Sequence, residues 1–426
     1  MSFTQITRLA AACALAGCAF AASAADLLIR NAEVHTVSSA GKLAKADVLV
    51  RDGKIAAVGT ALQAPSGATI VEANGKPLTP GLFAGLTAIG IEEVSGEAST
   101  VDEYLKLNAP AYAMQWRPEF DVTLAYNPRS VLVPLAQTEG LTWTVIEPGS
   151  GEGGSLIAGQ GAAITLDGRF DAVLEGSRSM FVAIGNDSLA LAGSSRAGQY
   201  MLLDQAVREA RSTAPLGDRS LLLPTGREVL ARYLKGGRFV FDVDRAADIR
   251  QVLAFSRRYG IKPVIASGTE AWVVADELAR ADVPVLIDPL ANLPGSFDTI
   301  GARLDNAALL ARAGVRVGFT QLLSDKSHNA RKIRQVAGSA VAHGLPWDAA
   351  LAGLTSVPAE IFGVAGSRGH IAVGQVADLV LWTGDPLEVT TLAQQVWIGG
   401  NAISMRSRQT ELRDRYLEKL NRGAAR

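Results

Sequence analysis

The chain has 426 residues, 48% of them hydrophobic, with 43 glycines, more than a single hydrophobic core commonly holds and suited to many buried strands joined by tight turns. Lys+Arg 41 against Asp+Glu 42 leave a net charge of -1. That balance gives no field for nucleic acid or for an anionic membrane face.

Met1 to Ala25 reads as a secretory signal. Arg8 is its basic start, Leu9 to Phe20 its apolar run, and Ala22-Ser23-Ala24 its small-x-small cleavage site. The run is shorter than the roughly 20 residues a membrane span needs. Leu15-Ala16-Gly17-Cys18 offers a competing lipobox, with Cys18 as a lipid-bearing terminus. Either reading expects a periplasmic protein. The two cysteines, Cys13 and Cys18, both fall in this leader, so the mature chain is left with no thiol for a disulfide, a zinc site or a nucleophile.

From Asp26 to Val71 the pattern is of short strands, with Asp52-Gly53 between two apolar runs as a hairpin turn. Strands alternating with helical stretches follow, the pattern of a parallel α/β barrel. They are expected near Leu82–Ile89, Thr142–Ile146, Met180–Ile184, Phe239–Val243, Pro263–Ala266, Pro284–Ile287 and Val315–Phe319, with an eighth unplaced. Pro148 to Ser155 is a glycine-rich loop, and Ala162 to Asp167 reads as a short strand after it. No Lys-Ser/Thr follows that loop, which excludes a P-loop. Gln409 to Leu420 is a charged helix whose apolar edge, Leu412, Tyr416 and Leu420, is expected to pack on the body.

Three stretches carry a resemblance. Leu78-Thr79-Pro80-Gly81-Leu82-Phe83-Ala84-Gly85-Leu86-Thr87-Ala88 resembles the turn and first barrel strand of the amidohydrolase superfamily, in its imidazolonepropionase-like branch. Gly369 to Trp382, with Gly-x-x-x-Gly-x-x-Ala-Asp-Leu-Val, resembles that family's C-terminal return. Thr355 to Gly363 resembles its T-x-N-P-A-x-x-L-G run, with Val357 in place of Asn. The resemblance implies a TIM (β/α)8 barrel over 80–366 and a small β-sandwich domain assembled from 26–79 and 367–404. A signal over 1–25 and a C-terminal helix over 405–426 complete the division.

The resemblance also implies a divalent metal held by an Asp-Ala-His-x-His strand end. Here those positions are Ala84, Leu86 and Ala88, and aliphatic carbon has no lone pair for a metal. The histidines are His35, His328, His343 and His370, of which His328 alone is expected near the barrel mouth. Phe319-Thr320-Gln321 stands where the family has a metal-binding Asp, with Asp325 the nearest acid. The catalytic candidates are acids at or just after strand ends, Asp242, Asp244, Glu147 and Glu270, with Asp288 beside them. They read either as helix caps and loop braces or as an all-oxygen site. Trp272, after a strand end, is the candidate aromatic platform.

Two functions follow as expectations. In the first, the chain is a non-catalytic or ligand-binding barrel without a cofactor, paired with an active relative or with itself. In the second, it hydrolyses C–N bonds of cyclic amide or peptide-like substrates through an atypical carboxylate site for Zn, Mn or Mg.

Overall fold

The structure is a computed structural model, describing residues 26–105, 116–150, 155–321 and 326–424. The leader with Cys13 and Cys18, residues 151–154 of the glycine-rich loop, and Asp325 lie outside the described residues.

The N-terminal strands are β1 (Leu27–His35), β2 (Lys42–Arg51), β3 (Lys54–Gly59), β4 (Thr69–Glu72) and β5 (Pro77–Pro80). The turn between β2 and β3 is Asp52-Gly53, both at positive φ (49° and 73°), the conformation a tight hairpin turn needs and Gly53 adopts without strain. The next eight strands form a second sheet. They are β6 (Leu82–Thr87), β7 (Leu141–Ile146), β8 (Ile157–Thr165), β9 (Ser179–Ala183), β10 (Arg238–Val243), β11 (Lys262–Ser267), β12 (Val285–Ile287) and β13 (Val317–Phe319). The chain then returns to the first sheet through β14 (Leu379–Trp382), β15 (Ala393–Ile398) and β16 (Asn401–Ala402). There β14 pairs antiparallel with β5, so two segments some 300 residues apart share one ladder, Leu379 opposite Pro80 and Leu381 opposite Leu78. The apolar core of this sheet includes Ile29, Val34, Val48, Leu78, Leu379 and Trp397.

The second sheet runs in chain order from β6 to β13 and curls into a nearly closed barrel. Its two ends meet through side-chain bonds: Thr320 Oγ1 accepts the Leu86 N–H at 3.0 Å, and Ser327 Oγ accepts the Ala88 N–H at 2.8 Å. Alternation along the strands makes two apolar layers. Phe83, Trp143, Phe181, Val240, Val264 and Leu286 fill the inside, floored by Phe362. Phe239, Phe241, Val243, Ile265 and Val285 face outward onto helices such as Ala246–Tyr259.

The regular (β/α)8 alternation is corrected in one place. β6 and β7 run parallel, as do β9 to β13, but β8 runs antiparallel to both neighbours, β7 and β9. No helix intervenes between β7 and β9 among the described residues. The strand expected at Ala162–Asp167 is thus the end of a nine-residue strand that completes the barrel wall. Small residues let it pass. A Cβ on Gly161 would sit 2.1 Å from the Ile146 carbonyl oxygen, and the carbonyl of Phe120 would crowd one on Gly159.

The C-terminal helix, Arg408–Ala424, also departs from expectation. Tyr416 and Leu420 are 60% and 68% exposed, so most of its apolar edge does not pack on the body. No helix among the described residues is long and apolar enough to cross a membrane.

Candidate functional site at the barrel mouth

The C-terminal ends of the parallel strands open on a cavity of about 240 Å³ lined by Tyr104, Glu147, Asp187, Asp242 and Lys326 among others. Its centre is an ion pair. Lys326 opens the short helix Lys326–Asn329 after β13, and its Nζ donates to Glu147 Oε1, just past β7. Both side chains are mostly buried, 27% and 16% exposed. Burial alone pulls the lysine down, but the carboxylates of Glu147 and Glu103 outweigh it and hold the ammonium well above the usual lysine range. Beside it, burial and the Glu103 carboxylate push the Tyr104 phenol up. One oxygen of Glu103, Oε2, is buried with no hydrogen-bond partner.

Asp242 points from β10 into the same cavity, where its carboxylate accepts the Ser267 hydroxyl. It is exposed at the cavity yet lies deep in the barrel. Burial therefore raises its pKa, the Ser267 bond opposes that, and the nearby Glu147 charge adds to it. Asp244 is turned to the neighbouring loop, where it accepts the Thr269 N–H at 3.1 Å and the Thr269 hydroxyl. Desolvation lifts its carboxyl to about 6 against the pull of those bonds.

Asp244 gives a test by pH. Its folded pKa of about 6 lies above the ordinary carboxylate range, so between the two values the folded chain holds the extra proton. The stability this provides is complete below about pH 4 and is lost as pH rises through about 6. Asp244→Asn keeps an acceptor for Thr269 and removes the titration. The variant is expected to gain roughly 1–3 kcal/mol relative to the native chain between pH 4 and 7. Urea melts at both ends of that range check it; parallel pH slopes would refute the shift.

The remaining sequence candidates are not brought together. Glu270 Oε2 caps the helix Ala246–Tyr259 by accepting the Ala246 N–H at 3.0 Å. It does the capping work that Asp244 was expected to share. Asp288 accepts the Leu290 N–H at 2.9 Å within its own loop. Trp272 is no open platform: its indole N–H donates to the Gly301 carbonyl at 2.9 Å, and Arg303 covers its ring. His328 is half-buried within the helix Lys326–Asn329 rather than on an exposed loop. His343 and His370 bond the backbone carbonyls of Ser339 and Val37. Leu86 packs with the barrel's inner layer and Ala88 with Ile91, Val122 and Ile146, both buried.

Among the described residues no three His, Cys, Asp or Glu side chains converge. Two of the mouth's acids are already engaged, Glu147 by an ammonium and Asp242 by a hydroxyl. Lys326 and Tyr104 escaped the sequence reading. The signal available for Lys326 was its place just beyond the last barrel strand, where the fold puts its mouth.

Comparison with known proteins agrees with this architecture. Residues 326–403 match the amidohydrolase family model. Over 74 residues the chain is 42% identical to the amidohydrolase tasK of Hapsidospora irregularis, a match spanning 17% of this chain and 8% of that relative. An amidohydrolase structure from Thermotoga maritima MSB8 superposes with a TM-score of 0.77 at 24% identity, covering 89% of this chain and all of that one. A triazine hydrolase from Arthobacter aurescens gives 0.54 at 16% identity, covering 90% of this chain and 96% of that one. The chain thus has the α/β fold of solved amidohydrolases, and its residues 326–403 are similar in sequence to that family.

Proposed function

We propose that this is an amidohydrolase-fold protein whose barrel mouth receives a small polar ligand around a lysine–glutamate pair, without a catalytic metal. One observation carries the reading: the ammonium of Lys326, paired with Glu147, faces the cavity beside Asp242. A fixed cation there repels a second cation and satisfies the carboxylate a metal would need. The cavity suits a molecule about the size of an amino acid.

A second reading is favoured by the family match over 326–403, which supports a hydrolase-type function. In it the chain cleaves C–N bonds, and Asp242 and Glu147 leave their present partners to hold a metal. Metal content separates the two. After growth with added Zn and Mn and exhaustive dialysis, the protein is expected to hold far less than one equivalent. About one retained equivalent, lost on Asp242→Ala, would establish the second reading instead.

A further inference from the structure

A second cavity lies away from the barrel mouth, where the first sheet meets the helix Trp347–Gly353. It measures about 470 Å³ and is lined by Glu33, His35, Lys42, Trp347, Asp348 and Asp385, with Pro77 and Pro386. We infer that this groove is a binding site for an organic cation carrying N–H donors, a guanidinium or primary ammonium group.

The argument starts from His35. Its side chain is only 7% exposed, and Nε2 lies 3.0 Å from Glu33 Oε1. That carboxylate fixes the proton on Nε2, which leaves Nδ1 as a lone-pair acceptor. The ring lines the groove. Burial holds the imidazole below its ordinary pKa, against the pull of Glu33.

The imidazole packs against Trp347 with ring centroids 4.8 Å apart. The indole is held in turn: its N–H lies 3.1 and 3.0 Å from the two carboxylate oxygens of Asp385, which also accepts the Leu387 N–H. Asp348 adds an exposed carboxylate at the start of the helix. The one cation in the lining, Lys42, is engaged by Glu33 at 3.2 Å.

What faces the groove is therefore mostly acceptors and an aromatic ring: an imidazole, three carboxylates and an indole, beside one paired ammonium. An anion meets only the ammonium of Lys42, already paired with Glu33. A cation with N–H groups meets charge, acceptors and a ring quadrupole together. Such a group could belong to a free small molecule or to an arginine or lysine side chain of a polypeptide.

Calorimetric titration of the full chain with methylguanidine, tetramethylammonium, acetate and a blocked peptide containing one arginine tests this. Saturable binding of methylguanidine is expected, about tenfold weaker in Asp348→Asn and at least as much weaker in Trp347→Leu. Tetramethylammonium, which has charge but no N–H, should bind more weakly still, and acetate not at all. Peptide binding tighter than methylguanidine would identify a polypeptide source; equal or weaker binding would identify a free small cation. Lys326→Met should leave these affinities unchanged, so the outcome is independent of the barrel mouth. No saturable binding, affinity unaltered in Asp348→Asn, or equal binding of tetramethylammonium would overturn the proposal. Asp348 is exposed, so its variant remains informative if Trp347→Leu does not fold.

Discussion

Arg196→Met is expected to destabilise the protein by about 3–5 kcal/mol at neutral pH, the penalty for leaving buried charge without its partner. Arg196 begins the helix Arg196–Arg211 and bridges two acids from distant elements. Its Nη1 donates to Asp248 at 2.9 Å, and its Nη2 to Asp298; both acid side chains are 6% exposed. Asp298 also accepts the Asn186 N–H at 2.7 Å, which ties in the loop after β9. Without the guanidinium, two buried carboxylates face each other across the gap. Burial already pushes the Asp248 carboxyl up, and Arg196 opposes that. Arg196→Lys is expected to recover part of the loss, since a point charge cannot serve two carboxylates as a planar fork does. Adding Asp248→Asn and Asp298→Asn to Arg196→Met should restore more. Chemical denaturation of the set forms the cycle; additive effects would contradict a shared network.

Gly161→Ala is the second large effect. Gly161 has no unusual φ, so the constraint is space alone. The added methyl would lie 2.1 Å from the Ile146 carbonyl oxygen and 2.9 Å from the Phe181 ring. The carbonyl belongs to a strand paired with β8, so relief requires the barrel wall itself to move. Overpacking of this kind costs about 1–3 kcal/mol, and more where backbone must shift. A fall in thermal midpoint is expected, while the same change at exposed Gly217, where a Cβ meets nothing within 4 Å, should be neutral. A native-like midpoint for Gly161→Ala would mean that β8 does not run where it is described.

These two positions also show what the sequence could and could not convey. Local chemistry was readable: Asp52-Gly53 made its turn, and the apolar runs at Phe239–Val243 and Pro263–Ala266 became β10 and β11. The antiparallel β8 was half hidden because Gly159-Gln160-Gly161-Ala162-Ala163 has neither β-branched residues nor alternation. Its smallness answers to neighbours such as Ile146 and Phe120, which no local pattern reveals. At the mouth, carbon at Leu86 and Ala88 was visible directly. The Lys326–Glu147 pair was not, since its partners are separated by 179 residues. Asp242, Asp244 and Glu270 were recognised as acids at or just after strand ends, but only coordinates show each bonded to a different group. The edge of the C-terminal helix had the right period and the wrong expected neighbour; amphipathic spacing states that a face is apolar, not what covers it.

The most direct measurement is an experimental electron-density map of the barrel mouth, from crystals grown with added Zn and Mn and recorded at both absorption edges. The account predicts continuous density from Lys326 to Glu147, Asp242 against Ser267, and no anomalous peak in the cavity. A peak there, coordinated by Asp242 and Glu147 with the lysine swung aside, would contradict it.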